Sequence, residues 1–363
     1  MAVKKVVVMG GGVLGVSSAL QLAQRGIAVT LVTEAALCSG ASGRSLSWLN
    51  SAGERSTAYH ALRMAGIDRY RTLFAQDPTR DWLRFDGAVF WTTGDGTALR
   101  ARHAYEKAHG YDSHLVSCDD LPQIKPDAFS GEAIINPGEG WVSLPDLMTY
   151  LADKLRGLGG EIIEGAGPAQ VVTHEGRACG VRWQGGELAA DAVLVACGPA
   201  TPDVVAPLGV QIPNGSPLSM LVITQPAGQK LTAVLNTPRV AVRPDPGNRL
   251  ALDHDWYEHD IQPLATGGFT IDEKVVQQLV GEAKKLLPDG ADLQAQSWKI
   301  GYKPIPGDGE PVLGELQKVP GCFVAFTHSG ATLALIVGEL LAEEIVSGEQ
   351  HPMLATFRPE RFS

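Results

Sequence analysis

Aromatic residues make up only 6% of this 363-residue sequence, there are 5 cysteines, and lysine and arginine never form a run. Each shortage excludes something. The cysteines, at 38, 118, 179, 197 and 322, show no C-x-x-C spacing, so neither a zinc site nor a disulfide framework is indicated, and a reducing compartment fits. No set of His, Asp and Glu has metal-ligand spacing, and no G-x-S-x-G nucleophile elbow occurs. The formal net charge of −10 argues against nucleic acid as a partner, because a phosphate backbone needs a concentrated basic face. The longest apolar stretch, residues 331–342, falls well short of the roughly 20 residues a membrane-spanning helix needs. Lys4-Lys5 leads directly into a short apolar run and a glycine turn, without the features of a signal peptide, so a cytoplasmic protein is expected.

What is present describes a large soluble core. Hydrophobic residues are 44% and charged residues 19% of the chain, and its length predicts two or three domains. The 42 glycines predict many tight turns and close backbone approaches. Residues 3–9 read as a strand, β-branched and apolar after Lys4-Lys5, 13–25 show helical spacing up to Gly26, and 28–33 return to a strand, which together make a βαβ unit. Further along, helices are expected over 54–76, 98–109, 144–158 and 331–347, the last closed by Gly348. Strands are expected over 86–93, 161–164, 191–196, 218–224, 250–253 and 322–327, and a loop with Pro122 and Pro126 over 119–127.

The chemistry is concentrated in the first unit. Gly10-Gly11-Gly12-Val13-Leu14-Gly15 fits G-x-G-x-x-G between strand and helix. Gly10 permits the turn, Gly12 lets the backbone reach a pyrophosphate, and Gly15 allows close helix–strand packing, so the helix N-terminus faces the phosphates. Glu34 follows Thr33 at the end of the second strand, where a carboxylate accepts hydrogen bonds from ribose hydroxyls. Dinucleotide binding is therefore expected, but this unit alone does not separate NAD from FAD.

Other segments separate them. The loop Ser39-Gly40-Ala41-Ser42-Gly43-Arg44-Ser45, the Gly140-Trp141-Val142 segment, residues 191–198, Gly301-Tyr302-Lys303-Pro304 with Asp308-Gly309-Glu310-Pro311-Val312-Leu313-Gly314, and the closing His328-Ser329-Gly330-Ala331-Thr332 turn all carry one likeness. Over nearly its whole length the chain resembles the D-amino-acid oxidase-like family of flavoenzymes, which includes glycine oxidase, monomeric sarcosine oxidase and bacterial D-amino-acid dehydrogenases. The resemblance implies an α/β fold in which a Rossmann-type FAD-binding domain (1–85, 139–215 and 300–363) is interleaved with an antiparallel-sheet α+β substrate domain (86–138 and 216–299).

It also implies roles for particular residues. Ala41, Ser42, Gly43, Arg44 and Ser45 would run beside the flavin, Val171 would contact adenine through its backbone, and Cys197-Gly198 would close over the pyrophosphate region. Gly330, Ala331 and Thr332 would present free helix N-terminal amides to the flavin ring. Lys303 stands where relatives place a carboxylate-gripping Arg, with Tyr302 beside it; a point charge replaces a planar fork. His328, His254 and Trp48 are the remaining candidates for the substrate end. Ile300 occupies the position of the flavin-linking cysteine of sarcosine-oxidase-like enzymes, so non-covalent FAD is expected. Ala251 falls near their oxygen-activating lysine. The implied reaction is oxidation of the C–N bond of a small amine or amino acid by hydride transfer to flavin N5, with dioxygen or a carrier as electron acceptor. A 2-hydroxy acid dehydrogenase, which would need a histidine base, and a flavin-carrying subunit of a larger dehydrogenase are the alternatives.

Overall fold

Strands buried on both faces read as continuous apolar runs, and Val6, Val7, Val8 and Met9 are all buried in the computed structural model. The structure describes residues 3–121, 123–125, 128–228, 231–288 and 292–362. The strand Lys5–Met9 lies between two parallel neighbours, Ala28–Val32 and Ala192–Val195. Outward on either side lie Glu161–Ile163 and Cys322–Phe326, and an antiparallel edge strand, Val312–Glu315, completes six. The order reverses around the first strand, which creates a crevice at the carboxyl ends of the central strands.

One face of this sheet is covered by the helices Val13–Gln24, Leu144–Gly157 and Gly330–Ser347, which share its largest core cluster. On the other face lies a three-stranded antiparallel meander, Ala169–His174, Arg177–Trp183 and Gly186–Ala189. A second, eight-stranded sheet carries Ala295–Tyr302 at one edge and His114–Ser117 at the other. The helix Glu273–Leu286 packs its Val276, Leu279, Val280, Ala283 and Leu286 stripe against it, and Asp272 caps that helix by accepting from the Lys274 amide. We propose that the two sheets mark the two interleaved units; the strand Ala295–Tyr302 crosses position 300, so their border there falls later than 300.

Several expected elements shift. The strand expected over 86–93 is Ala88–Phe90, and the helix expected from 54 starts at Thr57, because Ser56 caps it by accepting from the Tyr59 amide. Cys118–Asp120 is a single 3-10 turn; Pro122, Pro126 and Asp127 of the expected loop lie outside the described residues. The helix Glu273–Leu286 and the meander over 177–189 are additions that the sequence reading did not single out.

The helix Thr57–Gln76 holds the start of the last helix in place. Tyr59 donates to Ser329 Oγ at 2.6 Å, Tyr70 donates to the Ala331 carbonyl at 2.6 Å, and Gly66 lies so close that an added Cβ would collide with the Thr332 carbonyl oxygen. Gly66→Ala must push the two helices apart and is expected to cost about 1–3 kcal/mol. Gly281→Ala meets nothing within 4 Å inside its helix and should stabilise by about 0.5–1 kcal/mol. Denaturant unfolding of both variants checks the pair; a neutral Gly66→Ala overturns the packing argument.

Candidate functional site

The crevice opens into a cavity of about 790 Å³ bounded by the carboxyl ends of four strands. Met9 leads into the glycine turn, Val32 into Thr33 and Glu34, Val195 into Ala196 and Cys197, and Phe326 into Thr327 and His328. Gly10 takes a φ of 114°, and an added Cβ would collide with the Ala196 carbonyl oxygen, so only glycine fits between these strand ends. A Cβ on Gly12 would meet only Ser42 Oγ, at 3.4 Å, with cavity on its remaining sides. Gly15 is away from the cavity; there a Cβ would collide with the Gly10 carbonyl, which is the helix–strand approach expected of the third glycine.

This end of the cavity is rich in amide donors. Ser42 Oγ accepts from the Val13 amide at 2.9 Å, while the Gly12 and Leu14 amides donate to no protein acceptor among the described residues. Glu34 is exposed at the rim, and its side chain has no hydrogen-bond partner among the described residues. Cys197 lines the wall beside Gly198, but burial pushes its thiol up to about 12, so it packs rather than reacts.

The loop after the second strand forms the next wall. Ala41, Ser42, Arg44 and Ser45 line it, whereas Gly43 faces away: a Cβ there would collide with the Cys38 carbonyl. Arg44 reaches across to Tyr302, donating to its carbonyl at 3.4 Å, and its Nε is buried with no partner. Val171 is off the wall, paired with Val181 in the meander; Ala169 and Gln170, just before it, line the cavity instead.

The far end gathers charged groups. Lys303 and Tyr302 line it, and Lys303 Nζ lies 3.2 Å from Asp253 Oδ2. Asp253 is itself held, its Oδ1 accepting from Ser219 Oγ at 3.1 Å and from Tyr257 Oη at 2.8 Å. Trp48 lines the cavity and donates from Nε1 to Glu139 at 2.6 Å. Gly330, Ala331 and Thr332 begin the last helix on this wall, with no side chain capping their amides.

His254 does not join them. Its ring lies 2.7 Å from Asp255 and 3.2 Å from the Thr237 carbonyl, and it is absent from the cavity wall. Asp253 ends its strand on the wall, whereas His254, the first residue past the strand, is held away by Asp255 and the Thr237 carbonyl. Asp253, Ser219, Arg55 and Arg63 line the cavity and were not singled out from the sequence. The one available signal for Asp253 was its place at the end of the apolar run Leu250–Leu252, where a carboxylate closes a buried strand.

His328 does face the cavity, with its ring exposed on the wall but set deep in the protein. Desolvation, followed by the positive charges of Lys303, Arg63 and Arg55, holds its imidazole down to about 4. It is therefore neutral at physiological pH and a weak base.

The model of the DAO family of FAD dependent oxidoreductases matches residues 5–344, and the chain belongs to that family. It is an FAD-dependent oxidoreductase. Among curated relatives, it is 27% identical to the glycine oxidase of Geobacillus kaustophilus over 97% of this chain and 95% of that one. It is 25% identical to the glycine oxidase of Pseudomonas aeruginosa over 96% of each. The fold superimposes on the crystal structure of the Geobacillus kaustophilus enzyme with a TM-score of 0.82 at 23% identity, covering 98% of both chains. An L-amino acid deaminase from Proteus myxofaciens gives 0.85 at 16% identity, with 100% of this chain and 94% of that one covered.

The residues present fit FAD. The unpaired amides of Gly12 and Leu14 and the side-chain-free approach at Gly12 suit a pyrophosphate, and unpartnered Glu34 suits ribose hydroxyls. Among the cysteines, Cys197 alone lines the cavity, and Ile300 is off its wall.

Two outcomes are expected. Heating should release FAD into the supernatant, and Glu34→Ala should weaken FAD retention by roughly ten- to a hundredfold through lost charge-assisted hydrogen bonds; unchanged FAD affinity removes Glu34 from the ribose site. Because the folded imidazole of His328 lies below its ordinary 6.5, the unfolded chain binds a proton the folded one lacks, so stability falls as pH drops from about 6.5 toward 4. Above that window His328 no longer titrates, so kcat/KM profiles of the wild type and His328→Gln should share one shape between about pH 6 and 8. An inflection near 6.5 that disappears in the variant contradicts the depressed value.

Proposed function

We propose that the chain oxidises the C–N bond of a small amine or amino acid to an imine, which water then hydrolyses. The observation that carries this reading is the charge at the far end of the cavity, where Lys303, Arg55 and Arg63 face a single wall carboxylate, Asp253. A net positive wall attracts a substrate carboxylate and disfavours an ammonium, so it favours the free amine that can be oxidised. FAD, when bound, supplies the two-electron acceptor for the hydride leaving the carbon. The chain's own residues then have three tasks: to grip the carboxylate, to keep the amine unprotonated, and to hold the reacting carbon still.

In this reading Lys303 takes the carboxylate by turning from Asp253, and Tyr302 and Trp48 border the same space. Asp253, fixed by Ser219 and Tyr257, is placed to accept from the substrate's amine nitrogen. Alcohol oxidation is disfavoured, since it needs a competent base: His254 is off the wall, and His328 is held near 4. The similarity to glycine oxidases supports an amino-acid substrate. Ala251 is fully buried and off the cavity wall, with no lysine in its place, and we infer a carrier rather than dioxygen as the acceptor.

Anaerobic bleaching of the flavin with D- and L-amino acids, N-methyl and imino acids and hydroxy acids tests the reading, followed by turnover with a dye and with dioxygen. An amine or amino acid should bleach it, and bleaching by hydroxy acids alone overturns the proposal. Lys303→Met should raise KM for that substrate by roughly ten- to a hundredfold, and Lys303→Arg should restore binding through a planar fork. Unchanged kcat/KM in Lys303→Met removes Lys303 from the carboxylate site.

A further inference from the structure

Two guanidinium groups, Arg55 and Arg63, stand on the cavity wall without a carboxylate beside either of them among the described residues. They differ in what their nitrogens do. Arg63 is almost fully buried and satisfied: Nε and Nη2 donate to the carbonyl and the side chain of Asn50, and Nη1 donates to Ser329 Oγ. Its task is to brace the turn that starts the last helix. Arg55 has only a cation–π contact, with the Tyr59 ring. Its guanidinium makes no hydrogen bond among the described residues, and its Nε is buried without a partner.

The placement of Arg55 is electrostatically uphill. It immediately precedes Ser56, the cap of the helix Thr57–Gln76, where the helix dipole already presents positive charge. Arg63 adds a second cation, and burial adds a desolvation cost; these two, burial first, lower its pKa to about 10, so it stays charged at neutral pH. The nearby acids are committed elsewhere: Glu106 to Arg102, the Gly53 amide and Asn136, and Glu310 to Ser56. The backbone of Arg55 is fixed, since Tyr105 Oη donates to its carbonyl at 2.9 Å and accepts from its amide at 3.5 Å, and its guanidinium carbon lies 5.7 Å from the centre of the Tyr59 ring. A charged, partly buried fork on the cavity wall with its donors unused is half of an anion site.

We propose that Arg55 binds a second anionic group of the substrate, so that the preferred substrates are amines or amino acids carrying two carboxylates. This rests on the amine-oxidation reading above. One carboxylate goes to Lys303, whose charge Asp253 partly balances, and the other to Arg55, which has no carboxylate partner among the described residues. The fork geometry favours a planar carboxylate bound through both oxygens.

The test uses the FAD-loaded enzyme and non-reacting probes first. Acetate, malonate, succinate and glutarate are titrated while the flavin absorption spectrum is followed. At least one dicarboxylate should bind roughly tenfold or more tighter than acetate, and Arg55→Met should abolish that preference by weakening the dicarboxylate far more than acetate. Arg55→Lys, which keeps the charge and loses the fork, should fall between. In turnover, Arg55→Met should raise KM for aspartate, glutamate or iminodiacetate by roughly tenfold or more over its effect on alanine, glycine or sarcosine. A wild type without dicarboxylate preference overturns the proposal, as does an Arg55→Met that retains it or weakens acetate equally. Should the probes behave as expected while no amine bleaches the flavin, the anion site stands and the amine-oxidation reading fails.

Discussion

The carbonyl of Ala196 fills the place a side chain at residue 10 would need, and that contact ties the end of the first strand to the end of its parallel neighbour. With these strand ends touching, the backbone of the glycine turn bends outward and the helix Val13–Gln24 starts with its amides toward the crevice. Gly15 against the Gly10 carbonyl fixes the depth of that helix. Glu34, Cys197 and Thr327 then end their own strands around the same opening, so one steric constraint in the sheet organises the cofactor wall.

The other wall is assembled by reach across the chain. The helix Thr57–Gln76 contributes Tyr59, Arg63 and Tyr70, all bonded to residues 329–331, which are more than 260 positions away. Arg44 spans a similar separation to touch the Tyr302 carbonyl, and Gly301 has no side chain because the Arg44 guanidinium lies where its Cβ would be. The Asp253–Lys303 pair joins two strands of the eight-stranded sheet region to the cavity. The two ends of the cavity thus share a wall built from distant parts of the sequence.

Charge is distributed unevenly in consequence. The chain as a whole carries a formal −10, yet the far end of the cavity concentrates Lys303, Arg55 and Arg63. Desolvation first, and then their field, holds the His328 imidazole well below its ordinary range. A histidine that stands among the site candidates in the sequence is therefore an uncharged wall residue in the folded protein.

By itself the sequence determined the first βαβ unit, the glycine turn, the acid at residue 34 and the family likeness. These depend on local spacing: a strand, three glycines, a helix and a carboxylate within about thirty residues, where chain connectivity alone brings the groups together. Tertiary structure decided the substrate end. Whether Asp253 or His254 faces the cavity turns on where the strand ends and on what holds the residue past it. Lys303 gains a partner at Asp253, and Arg55 has no carboxylate partner among the described residues, only because sheets and helices distant in sequence are packed against each other. Gly167, Pro168, Ala169 and Gln170, rather than Val171, line the cavity for the same reason, the position of the meander on the sheet setting which residues reach it. Local pattern carries motifs, whereas burial, pairing and the field at a side chain are properties of the assembled fold.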